Sequence, residues 1–443
     1  MTSAFAKYAP LGLGLFFSTL PLAAKAQDAA SSSVIEEGRY LAAASDCSAC
    51  HTIKDGAAYA GGLPFALPIG TIYAPNITPD RQYGIGAYTE AEFSRALRQG
   101  IRRDGSALYP AMPYPSYARM SDHDIHALYV YFQNGVHAVP SAPPENKISW
   151  PLSMRWPMTV WRHLFAPTPE QARKNAARSF PSAAVARGAY LVEGPAHCGA
   201  CHTPRAVTMQ EKSLSSDQGD TYLAGGASVD GWTPTSLRQD DRIGLGRWNE
   251  NDIVEFLRSG RNQHGSAFGG MSAAIEHGTQ HLSDADLHAI AQYLLTLSPR
   301  HKNDAPWIYN EKTALALRHG DASQPGAKIY VDHCAACHRT DGRGYPPTFP
   351  PLAGNPVLMS DAVDSLVHIV QSGGALPSMK AAPSAFVMPS FGHMLNDAQI
   401  AAVVTFIRKS WGNNASPVTQ EQVANLRKSA PAPVLQDPPV PTN

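Results

Sequence analysis

Three copies of the pattern Cys-x-x-Cys-His constrain this chain more strongly than any other feature. They read CSACH at 47–51, CGACH at 198–202 and CAACH at 334–338, and together they contain all six cysteines of the 443 residues. Because two thiols and an imidazole recur within five residues each time, each copy must serve a single piece of chemistry.

Three kinds of site could use this pattern. Disulfides staple small exported domains but set no rule for the residue after each pair, and a closed zinc site needs four ligands where each copy offers three. Covalent haem attachment uses every side chain, since two thiols bond the vinyl groups and the adjacent histidine reaches the iron. Disulfides and zinc remain the alternatives to three covalently bound haem c groups. The predicted attachment residues are Cys47, Cys50, Cys198, Cys201, Cys334 and Cys337, and the predicted proximal iron ligands are His51, His202 and His338.

A methionine from later in each repeat is expected on the far side of each iron. A thioether ligand gives a stable site and raises the reduction potential. Met112 and Met388 each precede a proline in similar surroundings, and Met271 occupies the corresponding part of the second repeat. Since a lone methionine is usually packing material, other methionines compete for these roles. The competitors are Met120, Met379 and Met394.

A common helical pattern surrounds each motif. Each repeat predicts a short helix opened by glycine before the motif, a helix that ends in glycine, and a closing helix. The closing helices begin at Ser121, Ser283 and Asn396, and small alanines on their apolar faces would let a second helix approach closely. With 37 prolines and 35 glycines, long loops are expected between the helices.

The predicted fold is mainly α, with three tandem cytochrome c domains whose long loops surround covalently bound haems. The pattern divides the chain into seven segments. They are a signal peptide at 1–26, domain 1 at 33–140, a Trp/Pro-rich linker at 141–180, domain 2 at 181–298, a linker at 299–319, domain 3 at 320–414 and a Pro-rich tail at 415–443.

The N-terminus predicts export. An apolar run from Leu11 to Ala24 is followed by Ala24-Lys25-Ala26, which fits the small-x-small rule for cleavage after Ala26. Lys plus Arg equals Asp plus Glu at 36 each, so no basic field is available to bind a phosphate backbone, and nucleic acid is not an expected partner.

The linker ISWPLSMRWPMTVWRHLF at 148–165 holds three of the seven tryptophans. Its prolines argue against one continuous helix. Tryptophans at a boundary between water and an apolar phase suit a membrane interface or a quinone entrance. The alternative is that this linker packs between the domains and does not meet lipid.

Longer stretches are more specific than the motifs. They include YAGGLPFALPIGTIYAPNITPDRQYGIG, DGSALYPAMPYPSYARM, ISWPLSMRWPM and FPPLAGNP, within about residues 35–414. On these stretches the sequence resembles the three-haem cytochrome c subunits of membrane-bound periplasmic dehydrogenases of acetic acid bacteria. The subunit of alcohol dehydrogenase is the nearest resemblance, and aldehyde, gluconate, sorbitol and fructose dehydrogenases have related subunits. The tail after Trp411 is shorter than that of the alcohol dehydrogenase subunit, which leaves aldehyde and sugar dehydrogenases open.

The resemblance implies an electron-transfer subunit on the periplasmic side of the bacterial inner membrane. A separate catalytic subunit of the PQQ, FAD or molybdenum type would oxidise the substrate, and electrons would pass through three haems to ubiquinone. Peripheral membrane contact is expected. Two other classes remain: a free periplasmic multihaem carrier that serves a terminal oxidase or reductase, and an enzyme that works at one of its own haems.

Overall fold

The computed structural model describes residues 1–2, 21–67 and 69–429. Most of the predicted signal peptide at 1–26 and the end of the predicted tail, 430–443, lie outside the described residues. Helices dominate the rest, as predicted. In chain order they are α1 (Pro21–Ala44), α2 (Cys47–His51), α3 (Glu90–Gln99), α4 (Tyr114–Tyr117), α5 (Asp122–Val130), α6 (Trp156–Phe165), α7 (Pro169–Ala176), α8 (Ala183–Glu193), α9 (Gly199–His202), α10 (Glu250–Ser259), α11 (Gly270–His277), α12 (Asp284–Leu295), α13 (Lys312–Arg318), α14 (Ala327–His333), α15 (Ala335–His338), α16 (Pro356–Met359), α17 (Asp364–Ser372), α18 (Asp397–Lys409) and α19 (Gln420–Ser429).

Strands are few and short in the described part of the chain. A three-stranded antiparallel sheet has the order β1-β2-β3, and a second sheet pairs β4 with β5. Phe65 faces Ile72 in the first sheet, and Gly374 faces Met388 in the second. The strands are β1 (Pro64–Leu67), β2 (Gly70–Tyr73), β3 (Lys147–Ile148), β4 (Gly374–Ala375) and β5 (Val387–Met388).

Each repeat is built on a crossing of two helices, which confirms the packing expected from the small alanines. The helix before the motif crosses the closing helix at a glycine, in the pairs α1–α5, α8–α12 and α14–α18. A Cβ on Gly38, Gly188 or Gly326 would lie 2.1, 1.9 or 2.3 Å from the carbonyl oxygen of Ala127, Ala289 or Ala402, respectively. Only a residue without a side chain permits this approach.

The role predicted for these glycines needs one correction. Gly326 does stand at the start of its helix, where it is the N-cap residue with φ 85°. Gly38 and Gly188 instead lie inside α1 and α8. Close contact between helices, rather than helix initiation, explains why glycine occurs at both positions.

The closing helices begin as predicted. The Ser121 and Ser283 hydroxyls accept hydrogen bonds from the backbone N–H of Asp124 and Asp286 at 3.0 and 3.2 Å. Asn396 forms a reciprocal capping box with the third residue of its helix. Such caps satisfy backbone donors that the first helical turn leaves without partners.

A separate apolar core lies in each repeat. The third core reaches beyond the predicted limits of domain 3. Ala314 and Leu317 of α13 join it from the segment predicted as a linker, and Val418 and Val423 join it from the segment predicted as a tail. Residues 415–429 are therefore part of a folded core, because burial of these valines attaches them to the third repeat.

Repeats one and two meet through a reciprocal pair of contacts. The Tyr40 hydroxyl donates to Asp286 Oδ2 at 2.6 Å and accepts from the Ser283 N–H. The Tyr190 hydroxyl makes the same two contacts in reverse, with the Asp124 carboxylate and the Ser121 N–H. Each repeat thus contributes its tyrosine to the start of the other repeat's closing helix, so the contacts are related by an approximate two-fold axis.

Repeats two and three meet through a different surface. Trp232 stacks on Phe268 with ring centroids 5.6 Å apart and meets the edge of His368 at 4.9 Å. Met379 of repeat three is buried against Ala267 and Ile275 of repeat two. Repeat two therefore contacts both of the others.

Candidate functional site

The three motif histidines occupy equivalent positions at the ends of short helices. His51, His202 and His338 are the last residues of α2, α9 and α15. His51 and His338 are buried. Burial lowers the pKa of all three imidazoles, so each is neutral near pH 7 and keeps a nitrogen lone pair free for a metal.

One hydrogen bond sets the orientation of each ring. Nδ1 lies 2.8, 2.7 and 3.0 Å from the carbonyl oxygens of Pro75, Thr235 and Pro350. Because a carbonyl can only accept, Nδ1 must carry the proton, and the unprotonated Nε2 is left to bind iron. Such a bond fixes the tautomer and the ring orientation of a ligating histidine and makes it a better donor to the metal. The same arrangement at all three positions fits haem iron.

Sequence reasoning did not identify these carbonyl acceptors. Each lies in a short proline-containing segment, APNI, TPTSL or PPL, two residues before Ile77, Leu237 or Leu352. Those aliphatic side chains pack against the apolar core of their own repeats. The recurrence of a proline and a following aliphatic residue after each motif was the available signal.

A glycine after each motif folds the chain back towards its histidine. The carbonyl oxygens of the three histidines accept from the N–H groups of Gly61, Gly225 and Gly344 at 2.7, 2.9 and 3.1 Å. All three glycines have positive φ, at 76°, 96° and 58°. Glycine adopts this conformation without the penalty that a Cβ would impose.

The first cysteine of each motif and the predicted methionine pack against the same core in every repeat. Cys47 and Met112 pack against the first core, Cys198 and Met271 against the second, and Cys334 and Met388 against the third. All six cysteines are free thiols. Each repeat thus brings one thiol and a thioether to its core and adds the second thiol and the neutral imidazole of the motif, which are the groups that haem c requires.

The competing methionines have different surroundings. Met120 is fully buried within the first core, and Met379 is buried between repeats two and three. Met394 is 53% exposed. The first two have the environment of packing residues, and the third lies at the surface.

The motifs of repeats one and two face each other. Cys201 contributes to raising the pKa of the Cys50 thiol, and the nearby Asp46 carboxylate contributes to raising the pKa of both thiols. Burial raises the pKa of Asp46 to about 8. His197, in the equivalent place before the second motif, packs edge-on against Tyr117 of repeat one at 5.6 Å.

Comparison with known proteins agrees with this geometry. The family model described as Cytochrome c matches residues 35–135 and 323–411. The gluconate 2-dehydrogenase cytochrome c subunit of Pantoea cypripedii is 52% identical over 94% of this chain and 94% of its own length. This chain belongs to the cytochrome c subunits of bacterial dehydrogenases. Covalently bound haem c and electron transfer are the properties of that family.

Other members of the family act with different dehydrogenases. The cytochrome c subunit of the quinone alcohol dehydrogenase of Gluconobacter oxydans is 49% identical over 93% of this chain and 85% of its own length. The fructose dehydrogenase cytochrome subunit of Gluconobacter japonicus is 34% identical over 91% of this chain and 85% of its own length. This cytochrome c subunit has, among the described residues, no helix that is both long and apolar enough to cross a membrane.

Proposed function

We propose that this subunit carries three haem c groups and passes electrons from a catalytic dehydrogenase subunit to ubiquinone. The observation that supports three sites most directly is the histidine that recurs after each cysteine pair, with Nδ1 held by a backbone carbonyl. The proposed axial pairs are His51 with Met112, His202 with Met271 and His338 with Met388. The haems supply one-electron redox chemistry, and the protein sets their spacing and potential.

The arrangement of the repeats supports serial transfer. Repeat two contacts repeat one through the facing motifs, and it contacts repeat three on the side of Met271, which packs beside Met379. A haem in the second repeat would therefore bridge the other two. The protein's own contribution is to hold the three sites at fixed separations through buried contacts such as the ion pair of Arg119 with Glu193.

The partner and the acceptor are proposed from the relatives. Their names specify gluconate, alcohol and fructose dehydrogenases, and the alcohol dehydrogenases are described as quinone enzymes. Identities of 52% and 51% give equal support to gluconate and alcohol. The subunit is expected to be exported and to act at the periplasmic side of the inner membrane.

An exposed apolar surface supports contact with the membrane. This surface, the tryptophan patch, comprises Trp150, Leu152, Met154, Trp156, Val160 and Leu164. Trp150 is 79% exposed and Leu164 69% exposed, and none of the α6 residues is buried. Aromatic rings of this kind favour the boundary between water and lipid. Binding to vesicles of inner-membrane lipids should weaken when Trp150, Trp156 and Leu164 are replaced by serine.

Reconstitution tests the proposed function. The purified subunit, with haem attached, is assayed with gluconate, ethanol and fructose and a ubiquinone analogue, first alone and then with each candidate catalytic subunit. We expect no turnover by the lone subunit and quinone reduction only in one combination. Turnover by the lone subunit, or quinone reduction by a catalytic subunit that is indifferent to this chain, would contradict the proposal.

A free periplasmic carrier is the second candidate. A shuttling protein exchanges partners and forms small interfaces, whereas a subunit forms a stable complex that survives detergent extraction. The tryptophan patch favours the subunit, because several large apolar side chains exposed within one segment are typical of an interaction surface. Co-purification with a dehydrogenase in moderate salt separates the two candidates.

A further inference from the structure

A narrow cleft lies between α6, the segment that carries Met112 and the second haem motif. Its lining includes Pro110 and Pro113 on either side of Met112, Trp161 and Phe165 of α6, and Ala200 inside the second motif. The enclosed volume is about 30 Å³. That volume holds one or two ligand atoms. Only the edge of a ring-shaped ligand could therefore enter the cleft, and the rest of the ring would lie across the aromatic side chains.

One of the residues that line this cleft carries an unpartnered carboxylate oxygen. Glu211 lines it, and Glu211 Oε2 is buried without a hydrogen-bond partner. The nearby guanidinium of Arg205 is already occupied, since it donates to the carbonyl oxygens of Met209 and Ala200 at 2.6 and 2.7 Å. A buried polar oxygen without a partner is costly unless a ligand or water supplies one.

The helix that lines one side of the cleft also carries part of the tryptophan patch. Trp161 and Phe165 form the aromatic wall of the cleft and belong to α6, whose Val160 and Leu164 are exposed. Trp161 is fixed by a hydrogen bond of 2.7 Å from its ring N–H to the Thr208 carbonyl and by the edge of Tyr114. An apolar tail could therefore leave the cleft along the surface proposed to meet the membrane.

We propose that this cleft receives one oxygen of a quinone head group and that Glu211 donates a proton to that oxygen during reduction. The inference rests on the proposed function, in which ubiquinone is the acceptor. It adds the place of the reaction and the proton donor. The site touches the attachment segment of the second haem and the ligand segment of the first, which are the parts of the chain from which electrons would arrive.

The quinone takes up two electrons and two protons, and the haems held by this chain would supply the two electrons one at a time. At the enclosed oxygen, the carbonyl π bond breaks, an O–H bond forms and the O–H bond of Glu211 breaks. Water at the open side supplies the proton for the second oxygen and later restores the proton on Glu211.

The surroundings of Glu211 suit a proton donor near neutral pH. Burial raises the pKa of Glu211 to about 7, against the opposing effect of Arg205. Cys201 and Tyr222 are the other titratable groups influenced by this carboxylate. Because the acid form is lost as pH rises through about 7, quinone reduction should fall over the same interval.

The test compares two acceptors in the intact dehydrogenase complex. Reduction of a ubiquinone analogue consumes protons, whereas ferricyanide takes up electrons alone. Glu211→Gln should lower the rate with quinone by at least about tenfold, within the range of general acid catalysis, and leave the rate with ferricyanide unchanged. Glu211→Asp should restore part of the rate, and Glu145→Gln, at an exposed surface position, serves as the matched control.

A second readout does not depend on turnover. The purified chain is irradiated with an azidoquinone, and labelled peptides are mapped by mass spectrometry. We expect labels within 156–165 and 205–214, reduced by Trp161→Ala. Labelling only outside these segments would overturn the proposed site. A rate with quinone that is unchanged in Glu211→Gln would overturn it as well, and the cleft would then be a site for water only. Failure of the wild-type complex to reduce quinone at all, with ferricyanide still reduced, would instead overturn the proposed function.

Discussion

Methionine side chains decide the chemistry on the far side of each iron. Met388 ends strand β5, where it pairs with Gly374, and it packs against the third core, as Cys334 does. Its sequence neighbours, AFVMPSF, resemble those of Met112. Position in the sequence selected the methionine, and the shared core supports that selection against Met379 and Met394.

Met388→Ala should open the third iron and lower its reduction potential, because loss of the sulfur removes preferential stabilisation of the reduced state. A redox titration should show one haem shifted, together with loss of about a third of the absorption due to methionine–iron bonds. Met394→Ala, at an exposed position, is the control and should change neither the reduction potentials nor the methionine–iron absorption. An unchanged third potential in Met388→Ala would remove this residue from the proposed ligands.

At the scale of elements, the sequence predicts that helices cross, but it does not predict why glycine occurs in the helices before the motifs. The small alanines of the closing helices indicate that another helix packs closely on each of them. Gly38 and Gly188 were assigned to helix starts, because a glycine next to an apolar run has the same sequence pattern whether it begins a helix or is crossed by another. Only the position of the Ala127 and Ala289 carbonyls distinguishes the two.

Gly188→Ala should destabilise the second repeat by about 1–3 kcal/mol, the usual cost of forcing extra atoms into a packed contact. The new Cβ would lie 1.9 Å from a backbone oxygen, so α8 and α12 must move apart. Gly270→Ala provides the matched control, since a Cβ there meets nothing within 4 Å. Thermal unfolding of both holoproteins should show a lower midpoint for Gly188→Ala alone. Equal midpoints would show that this crossing tolerates a side chain.

At the scale of the whole molecule, the contacts between repeats could not be predicted from the sequence alone. Tyr40, Tyr190 and Tyr330 occur at similar places in their repeats, yet their hydroxyls have different partners. Tyr330 donates to the Arg339 carbonyl within its own repeat. The first two bind across an interface because the closing helices of repeats one and two offer Asp124 and Asp286, where the third offers Gln399.

Tyr40→Phe combined with Tyr190→Phe should weaken the contact between repeats one and two, with each lost hydrogen bond worth about 1–2 kcal/mol. Limited proteolysis should then cut the linker at 141–180 faster than in the wild type. Tyr330→Phe removes a hydroxyl of the same kind without touching that interface, and it should leave cleavage of the linker unchanged. The same rate in all three proteins would contradict the role of the reciprocal contacts.

The number of haems is the central claim, and the mass of the intact mature protein tests it most directly. Covalent attachment survives denaturation, so mass spectrometry in denaturing solvent counts the groups bound at the six cysteines. We expect the polypeptide plus three haem masses, and the polypeptide plus two when Cys198 and Cys201 are both replaced by alanine. Two haems or fewer in a fully matured wild-type sample would contradict it.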